Sequence, residues 1–444
     1  MSAHLDTLCD LLRPLGLAVA LLASPWHVWA AETPPGRPNI LLIMADDLGY
    51  ECLGCNGGTS YRTPNLDALA SSGMRFEHCY SMPLCSPSRI KLMTGRYNFR
   101  NYLGWGILDP KERTFGHLLR EAGYATCISG KWQLCHFDLP ENADHPKRAG
   151  FDEFCVWTWE FQGGKPSRYW DPYIWQDGKL RDDLKGKYGP DVHCDFVIDF
   201  IERNKSRPFF AYYTTNLVHA PYVPTPDSKP AAGAKKPKGK KQRAGRENYA
   251  DMVAYLDKCV GRVVQTLDRL GLREQTLILF TGDNGTPVGI TSKMGDVAIP
   301  GGKGSTKDTG IHVPLLANWK GTVPAGRTCS DPVDFADFLP TLAEVAGAPL
   351  PEGVKIDGRS FYPQLLGRPG NPRGWVFLSA SDSKTGKASP KGLVRDRRWK
   401  LYSDGRLFDT QADRFEENAI RPGEGTAEAN SARKRLQAVL DSIQ

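Results

Sequence analysis

No stretch of this 444-residue chain approaches the length needed to cross a bilayer. Its amino-terminal apolar run, Leu15 to Ala23, has only the length of a secretion-signal core, and Val28-Trp29-Ala30 offers small residues at the −3 and −1 positions of a cleavage site. Residues 1–30 therefore read as a signal peptide, and an exported protein, periplasmic or secreted, is expected. No cysteine follows the cleavage region, which argues against a lipid anchor, so no stable membrane anchor is expected. A basic excess is also missing from the fold itself. The net charge is +7, but eight Lys or Arg and no acid fall within 229–246, which leaves −1 for the rest. That distribution is not a nucleic-acid footprint, and no nucleic-acid partner is expected. Nor is there a second CxxC beside Cys52-Leu53-Gly54-Cys55, so this pair reads as chance spacing ahead of a zinc or redox site. A chain this large does not need a disulfide framework. Of its 11 cysteines Cys9 lies in the signal, and if one of the other ten is modified, at least one thiol stays free or pairs between chains.

What is present describes a soluble globular protein: 40% hydrophobic and 24% charged residues, in a chain long enough for one large domain with an appendage. Three continuous apolar runs, Ile40 to Ala45, Pro208 to Tyr213 and Thr276 to Phe280, have the length and pattern of strands buried on both faces, as in a mostly parallel sheet. Each ends in polar residues: Asp46-Asp47, Asn216 to Pro221 with His219, and Asp283-Asn284. Ligands of α/β folds gather at that end of the strands. Asp46-Asp47 alone also reads as an acidic turn. With Asp283 and Asn284 at the same edge, the set has the hard oxygen donors that suit Ca²⁺ or Mg²⁺. Helices are expected over 64–72, 114–122, 248–270, 334–345 and near 428–443, the first with Thr63 as cap and Pro64 at its first position. Short strands with turns between them, from Trp375 to Asp409, predict a small antiparallel sheet. Trp157, Trp159, Tyr169, Trp170, Tyr173 and Trp175 suit stacking on a sugar ring and equally suit core packing. The basic stretch 229–246 reads as a flexible insert, either a solvated loop or an arm that attracts a polyanion.

The stretch Leu84-Cys85-Ser86-Pro87-Ser88-Arg89, continuing to Thr94-Gly95-Arg96, predicts a loop that turns into a helix at Cys85. A helix start suits an anion, and Arg89 adds a charge one turn on. A nucleophile over an anion site is the reading from the residues alone; a buried cysteine beside a helix start is the other.

The full string Cys-x-Pro-Ser-Arg with Thr-Gly-Arg behind it resembles the signature of the type I sulfatases. So do Thr63-Pro64-Asn65-Leu66-Asp67, Gly130-Lys131-Trp132, His219-Ala220-Pro221, Gly302-Lys303 and Arg398-Trp399-Lys400-Leu401-Tyr402, in the same order over residues 38–420. The resemblance implies an alkaline-phosphatase-like α/β fold, with a large mostly parallel sheet sandwiched by helices over 38–362 and a small antiparallel sheet subdomain over 375–444. It implies hydrolysis of a sulfate ester, with a sulfated carbohydrate or small molecule as substrate. Cys85 would be oxidised to formylglycine by a formylglycine-generating enzyme. One Ca²⁺ would be held by Asp46, Asp47, Asp283, Asn284 and the group at 85. Arg89, Lys131 and Lys303 would lie on the sulfate, and His219 would protonate the leaving group. At Gly-Lys-Trp-His-Leu-Gly the chain departs from the pattern: Gln133 replaces the histidine and Cys135 the second glycine. Glutamine hydrogen-bonds but exchanges no proton near neutrality. Two other readings follow: a phosphate or phosphonate ester hydrolase on the same fold, and a sulfated-glycan binding protein without turnover.

Overall fold

The computed structural model describes residues 36–137, 139–158, 166–229, 245–381 and 388–443. The expected signal peptide, Trp159 and most of the 229–246 insert lie outside them.

A ten-stranded sheet forms the centre. In chain order its strands are β1 (Asn39–Ala45), β2 (Met74–Phe76), β3 (Ala125–Lys131), β4 (Glu153–Trp157), β5 (Trp175–Gln176), β6 (Lys179–Leu180), β7 (Phe209–Thr214), β8 (Thr276–Gly282), β9 (Leu315–Asn318) and β10 (Arg327–Cys329). Their spatial order is β10-β2-β9-β8-β1-β7-β3-β4-β5-β6. The run β8-β1-β7-β3-β4 is parallel. β9 turns antiparallel against β8, as do β5 and β6 at the far edge.

Strand β1 shows why the expected runs are continuous rather than alternating. Ile40, Leu42 and Met44 belong to one core, and Leu41, Ile43 and Ala45 to the other. Helices cover both faces. On the first side lie α2 (Cys85–Thr94), α3 (Phe115–Glu121) and α6 (Phe338–Ala346); on the second lie α1 (Pro64–Ser71), α4 (Gly189–Arg203) and α5 (Asn248–Arg269). The amphipathic spacing of Val253, Leu256, Val260 and Val263 turns one face of α5 to the sheet. Thr63 precedes α1 as expected, but its hydroxyl does not cap the helix. It accepts the Gly54 N–H at 3.0 Å and meets Asp67 at 3.1 Å.

A four-stranded antiparallel sheet follows: β11 (Val376–Ser381), β12 (Ala388–Arg395), β13 (Trp399–Tyr402) and β14 (Leu407–Asp409), with α7 (Ala427–Ser442) packed on it. From Gly36 onward the chain is one compact unit. Lys91 of α2 ties this helix to the four-stranded sheet, 2.7 Å from the Asp334 carboxylate and 2.7 Å from the Phe377 carbonyl, with both charged groups buried. None of the ten described cysteines forms a disulfide. Cys52 is buried against the Thr286 hydroxyl, at 3.3 Å.

His193 of α4 has a measurable consequence. Its Nδ1 donates to the Cys155 carbonyl at 3.0 Å, while Nε2 lies 3.4 Å from the Asn216 amide. The second contact, with Nε2 accepting, requires a neutral ring, and burial pushes its pKa down to about 3 against the pull of the Cys155 carbonyl. The folded value lies below the unfolded one, so this stabilisation is complete above about pH 6.5 and is lost as pH falls. At pH 5.5 the loss is about 1.4 kcal/mol from this residue alone. Urea unfolding at pH 7.5 and pH 5.5 checks it: His193→Gln should shrink the pH-dependent difference by about that amount, and an unchanged difference would refute it.

Candidate active site

The carboxyl ends of the parallel strands bring the polar residues together. β1 delivers Asp46 and Asp47, β3 delivers Lys131, β8 delivers Asp283 and Asn284, and the segment after β7 carries His219. Gly130 is obligatory before Lys131: its φ is +117°, and a Cβ there would lie 1.9 Å from the Thr214 carbonyl oxygen. Asp47 also takes a left-handed conformation, φ 67°, rare for a residue with a side chain. Its amide donates to Asp283 Oδ1 at 3.0 Å, which locks the turn.

Cys85 is the first residue of α2 and is buried. Its Sγ lies 3.2 Å from Asn284 Oδ1, 3.5 Å from Asp46 Oδ1 and 3.8 Å from Asp47 Oδ1. Each carboxylate has a cation. Lys131 Nζ is 2.8 Å from both oxygens of Asp46. Arg89 grips Asp283 Oδ2 through Nε at 3.1 Å and Nη2 at 2.8 Å. Lys303 Nζ is 2.7 Å from Asp47 Oδ2, and Asn284 Nδ2 donates to Asp47 Oδ1 at 2.8 Å. His219 Nδ1 faces the Ala220 carbonyl at 2.6 Å, which leaves Nε2 toward the cluster, 3.7 Å from Asp47 Oδ2.

Electrostatics follow from this packing. Burial opposes the charge of Asp46, but Lys131 and the other cations hold its carboxyl well below the usual range. Burial likewise opposes Asp47, and Lys303 keeps it low. For Asp283 burial, reinforced by Asp46, wins and raises the carboxyl. Burial, with Asp283 beside it, pushes the Cys85 thiol far up. Burial and the Arg168 charge push His219 down to about 3.

The donor set fits a hard divalent cation. Ligand atoms of Asp46, Asp47, Cys85 and His219 lie within 4.8 Å of one another, and Asn284 Oδ1 reaches the same place. Asp283 meets the cluster through Arg89 and the Asp47 amide. Asn284 is fully buried there, so its Asn-Gly-Thr sequence offers no surface for a glycan.

Of the predicted site residues, Gln133 stands apart. It lies two residues beyond Lys131, buried, with φ 47° and its Oε1 without a hydrogen-bond partner. No hydrogen bond or ion pair joins it to the other site residues, among the described residues. Conversely, Arg168 was missed. Its guanidinium lies over the Trp157 ring, 4.0 Å from the centroid, and its Nη1 is 3.6 Å from Asp46 Oδ2. The sequence places Arg168 only in an aromatic-rich stretch, and no local spacing marks it.

The Sulfatase family model matches residues 38–348. Human arylsulfatase A is 34% identical over 377 residues, covering 78% of this chain and 71% of that protein. N-acetylgalactosamine-6-sulfatase of Canis lupus familiaris is 33% identical over 395 residues, covering 79% and 70%. The solved structure of Ps i-CgsB in complex with k-i-k-neocarrahexaose superposes with a TM-score of 0.71 at 28% identity, covering 92% of this chain and 94% of that one. With its central sheet, its small carboxyl-terminal sheet and this cluster of buried carboxylates and cations, the chain belongs to the sulfatase family of the alkaline phosphatase superfamily and is a sulfuric ester hydrolase.

Proposed function

We propose that this sulfatase removes sulfate from a sulfated carbohydrate, using a formylglycine made from Cys85 and a Ca²⁺ held by Asp46, Asp47, Asp283 and Asn284. The observation that carries the reading is the position of Cys85 Sγ, within 3.8 Å of three of those four side chains and ringed by Arg89, Lys131 and Lys303. A buried, protonated thiol is a poor nucleophile, whereas a hydrated aldehyde offers two hydroxyls. One would attack sulfur, giving up its proton, as the bond from sulfur to the alcohol oxygen breaks and the alcohol takes a proton; the other would lose its proton as sulfate departs and the aldehyde returns. When bound, Ca²⁺ supplies positive charge that favours a deprotonated oxygen at residue 85. Arg89, Lys131 and Lys303 place fixed positive charge around the sulfate oxygens. Two relatives support a carbohydrate substrate: one is named for N-acetylgalactosamine 6-sulfate chemistry, and one is solved with a neocarrahexaose. The segment 1–30 supports export, and maturation would require a formylglycine-generating enzyme. No described helix is long and apolar enough to cross a membrane.

His219 is assigned the leaving-group proton. With Nδ1 committed to Ala220, Nε2 is the nitrogen that exchanges a proton with the site, and it must first take up that proton against burial and the Arg168 charge. His219→Asn is expected to slow release from a sugar sulfate by about 10²- to 10⁴-fold. A nitrophenyl sulfate, whose leaving group needs no proton, should lose far less. Equal losses on both substrates would remove His219 from this role. The reading as a whole is tested by peptide mass at residue 85 after coexpression with a formylglycine-generating enzyme, together with sulfate release from aryl and glycan sulfates. Full conversion without release would overturn it. Phosphate and phosphonate esters run beside these substrates show which oxyanion the site prefers.

A further inference from the structure

Among the described residues, Arg168 is the one cation of this site without an assigned role. The three carboxylates Asp46, Asp47 and Asp283 are matched by Lys131, Lys303 and Arg89. Arg168 is a fourth, surplus charge. Its side chain is only 9% exposed, and its Nη1 is buried without a hydrogen-bond partner. The nearest carboxylate oxygen, Asp46 Oδ2 at 3.6 Å, is beyond hydrogen-bond reach and already bonded to Lys131 at 2.8 Å. A buried guanidinium nitrogen without an acceptor is costly, and proteins seldom keep one without a reason.

The surroundings hold Arg168 in place. Its guanidinium is stacked on Trp157, and the Trp157 indole N–H donates to the Pro166 carbonyl at 3.2 Å. The next residue, Tyr169, donates its hydroxyl to the carbonyls of Asn216 and His219, the former at 2.9 Å. The segment is thus tied on one side to β4 and on the other to the loop that carries His219. Arg168 and Cys85 flank the same carboxylate: Asp46 Oδ2 is 3.6 Å from Nη1, and Asp46 Oδ1 is 3.5 Å from Sγ. Residue 85 and the free N–H thus lie against the two oxygens of one carboxylate.

From this geometry we propose that Arg168 is a substrate-binding residue whose free Nη1–H donates to a non-bridging oxygen of the sulfate group. The inference rests on the sulfate-ester reading above. A planar guanidinium presents its donors in a fixed geometry suited to an oxyanion. Because the contact is made to the sulfate itself, it serves every sulfate ester alike, whatever sugar or aryl group is attached.

The test uses the full-length, formylglycine-bearing enzyme and inorganic sulfate as probe. Sulfate release by the wild type establishes the underlying reading first, and its absence would fault that reading, not Arg168. Arg168→Gln is then expected to raise the inhibition constant of inorganic sulfate and the KM for nitrophenyl sulfate together, by about tenfold to a hundredfold, with kcat changed far less. Arg168→Lys keeps the charge but not the fork, and should recover part of the loss. If the Gln variant fails to fold, the Lys variant is read in the same way. An unchanged inhibition constant in a folded variant overturns the proposal. So does a defect confined to multiply sulfated glycans, which would move the contact to a second anionic group.

Discussion

Cys85→Ala is expected to release sulfate at least about 10⁴-fold more slowly than the wild type, the loss typical when a covalent nucleophile is removed. The alanine variant keeps the packing of α2, because Cys85 contributes only a small buried side chain at its first turn. Its melting temperature should therefore stay close to that of the wild type, and the defect should appear in kcat. Cys85→Ser is the sharper comparison. It restores an oxygen nucleophile but not the second hydroxyl of a hydrated aldehyde, so it should react once and retain a sulfated residue. A peptide mass showing sulfate on residue 85 of the serine variant, and none on the alanine variant, would confirm the division of labour. Sustained turnover by the serine variant would contradict it.

Lys131→Met should damage both stability and rate. Lys131 and Asp46 are both fully buried, and Lys131 Nζ reaches both carboxylate oxygens at 2.8 Å. Removing one partner of a buried pair leaves an uncompensated charge, at a cost of about 3–5 kcal/mol. The lost positive charge at the site should lower kcat/KM by about 10²- to 10³-fold. Asp46→Asn in the same chain is expected to return most of the stability and none of the activity, which separates the two roles. Urea unfolding of the single and double variants in chelator-treated buffer measures the first effect; sulfate release measures the second. A loss of stability below about 1 kcal/mol in Lys131→Met would show that the pair is solvated or otherwise compensated.

The parts of the fold legible in the sequence were those with strong local rules. Ile40 to Ala45 and Thr276 to Phe280 are buried on both faces, so their apolar runs are unbroken and stand out. The two-residue edge strands Trp175–Gln176 and Lys179–Leu180 bury little and left no such trace. Asp46, Asp47, Asp283 and Asn284 were legible because strand ends concentrate polar groups, and because the family motifs fix Cys85, Arg89, Lys131, His219 and Lys303 one by one. Arg168 was not. It reaches Asp46 while stacked on Trp157, a tertiary contact with no local period. The aromatic stretch, left open between sugar stacking and packing, divides: Trp157 and Tyr169 are packed inside, Trp175 is partly buried against the first core, and Trp170 stays partly exposed. Gln133 was singled out for a departure from pattern, and the fold gives it burial and an orphan oxygen but no link to the cluster.

The burial of Cys85 fixes an order of events. Every residue from Cys85 to Thr94 is buried, and the cysteine opens a helix wedged between the sheet and α6. On the formylglycine reading, an oxidising enzyme must hold this segment in its own cleft, and the finished fold gives it no room to do so. On that reading the oxidation belongs to the unfolded chain, before α2 packs and before the carboxylates close over the thiol. A polypeptide that folds first is committed to staying a thiol protein. The activity of a preparation is then set by a race during synthesis, and it should track the supply of the oxidising enzyme at that moment and not any later treatment of the folded protein.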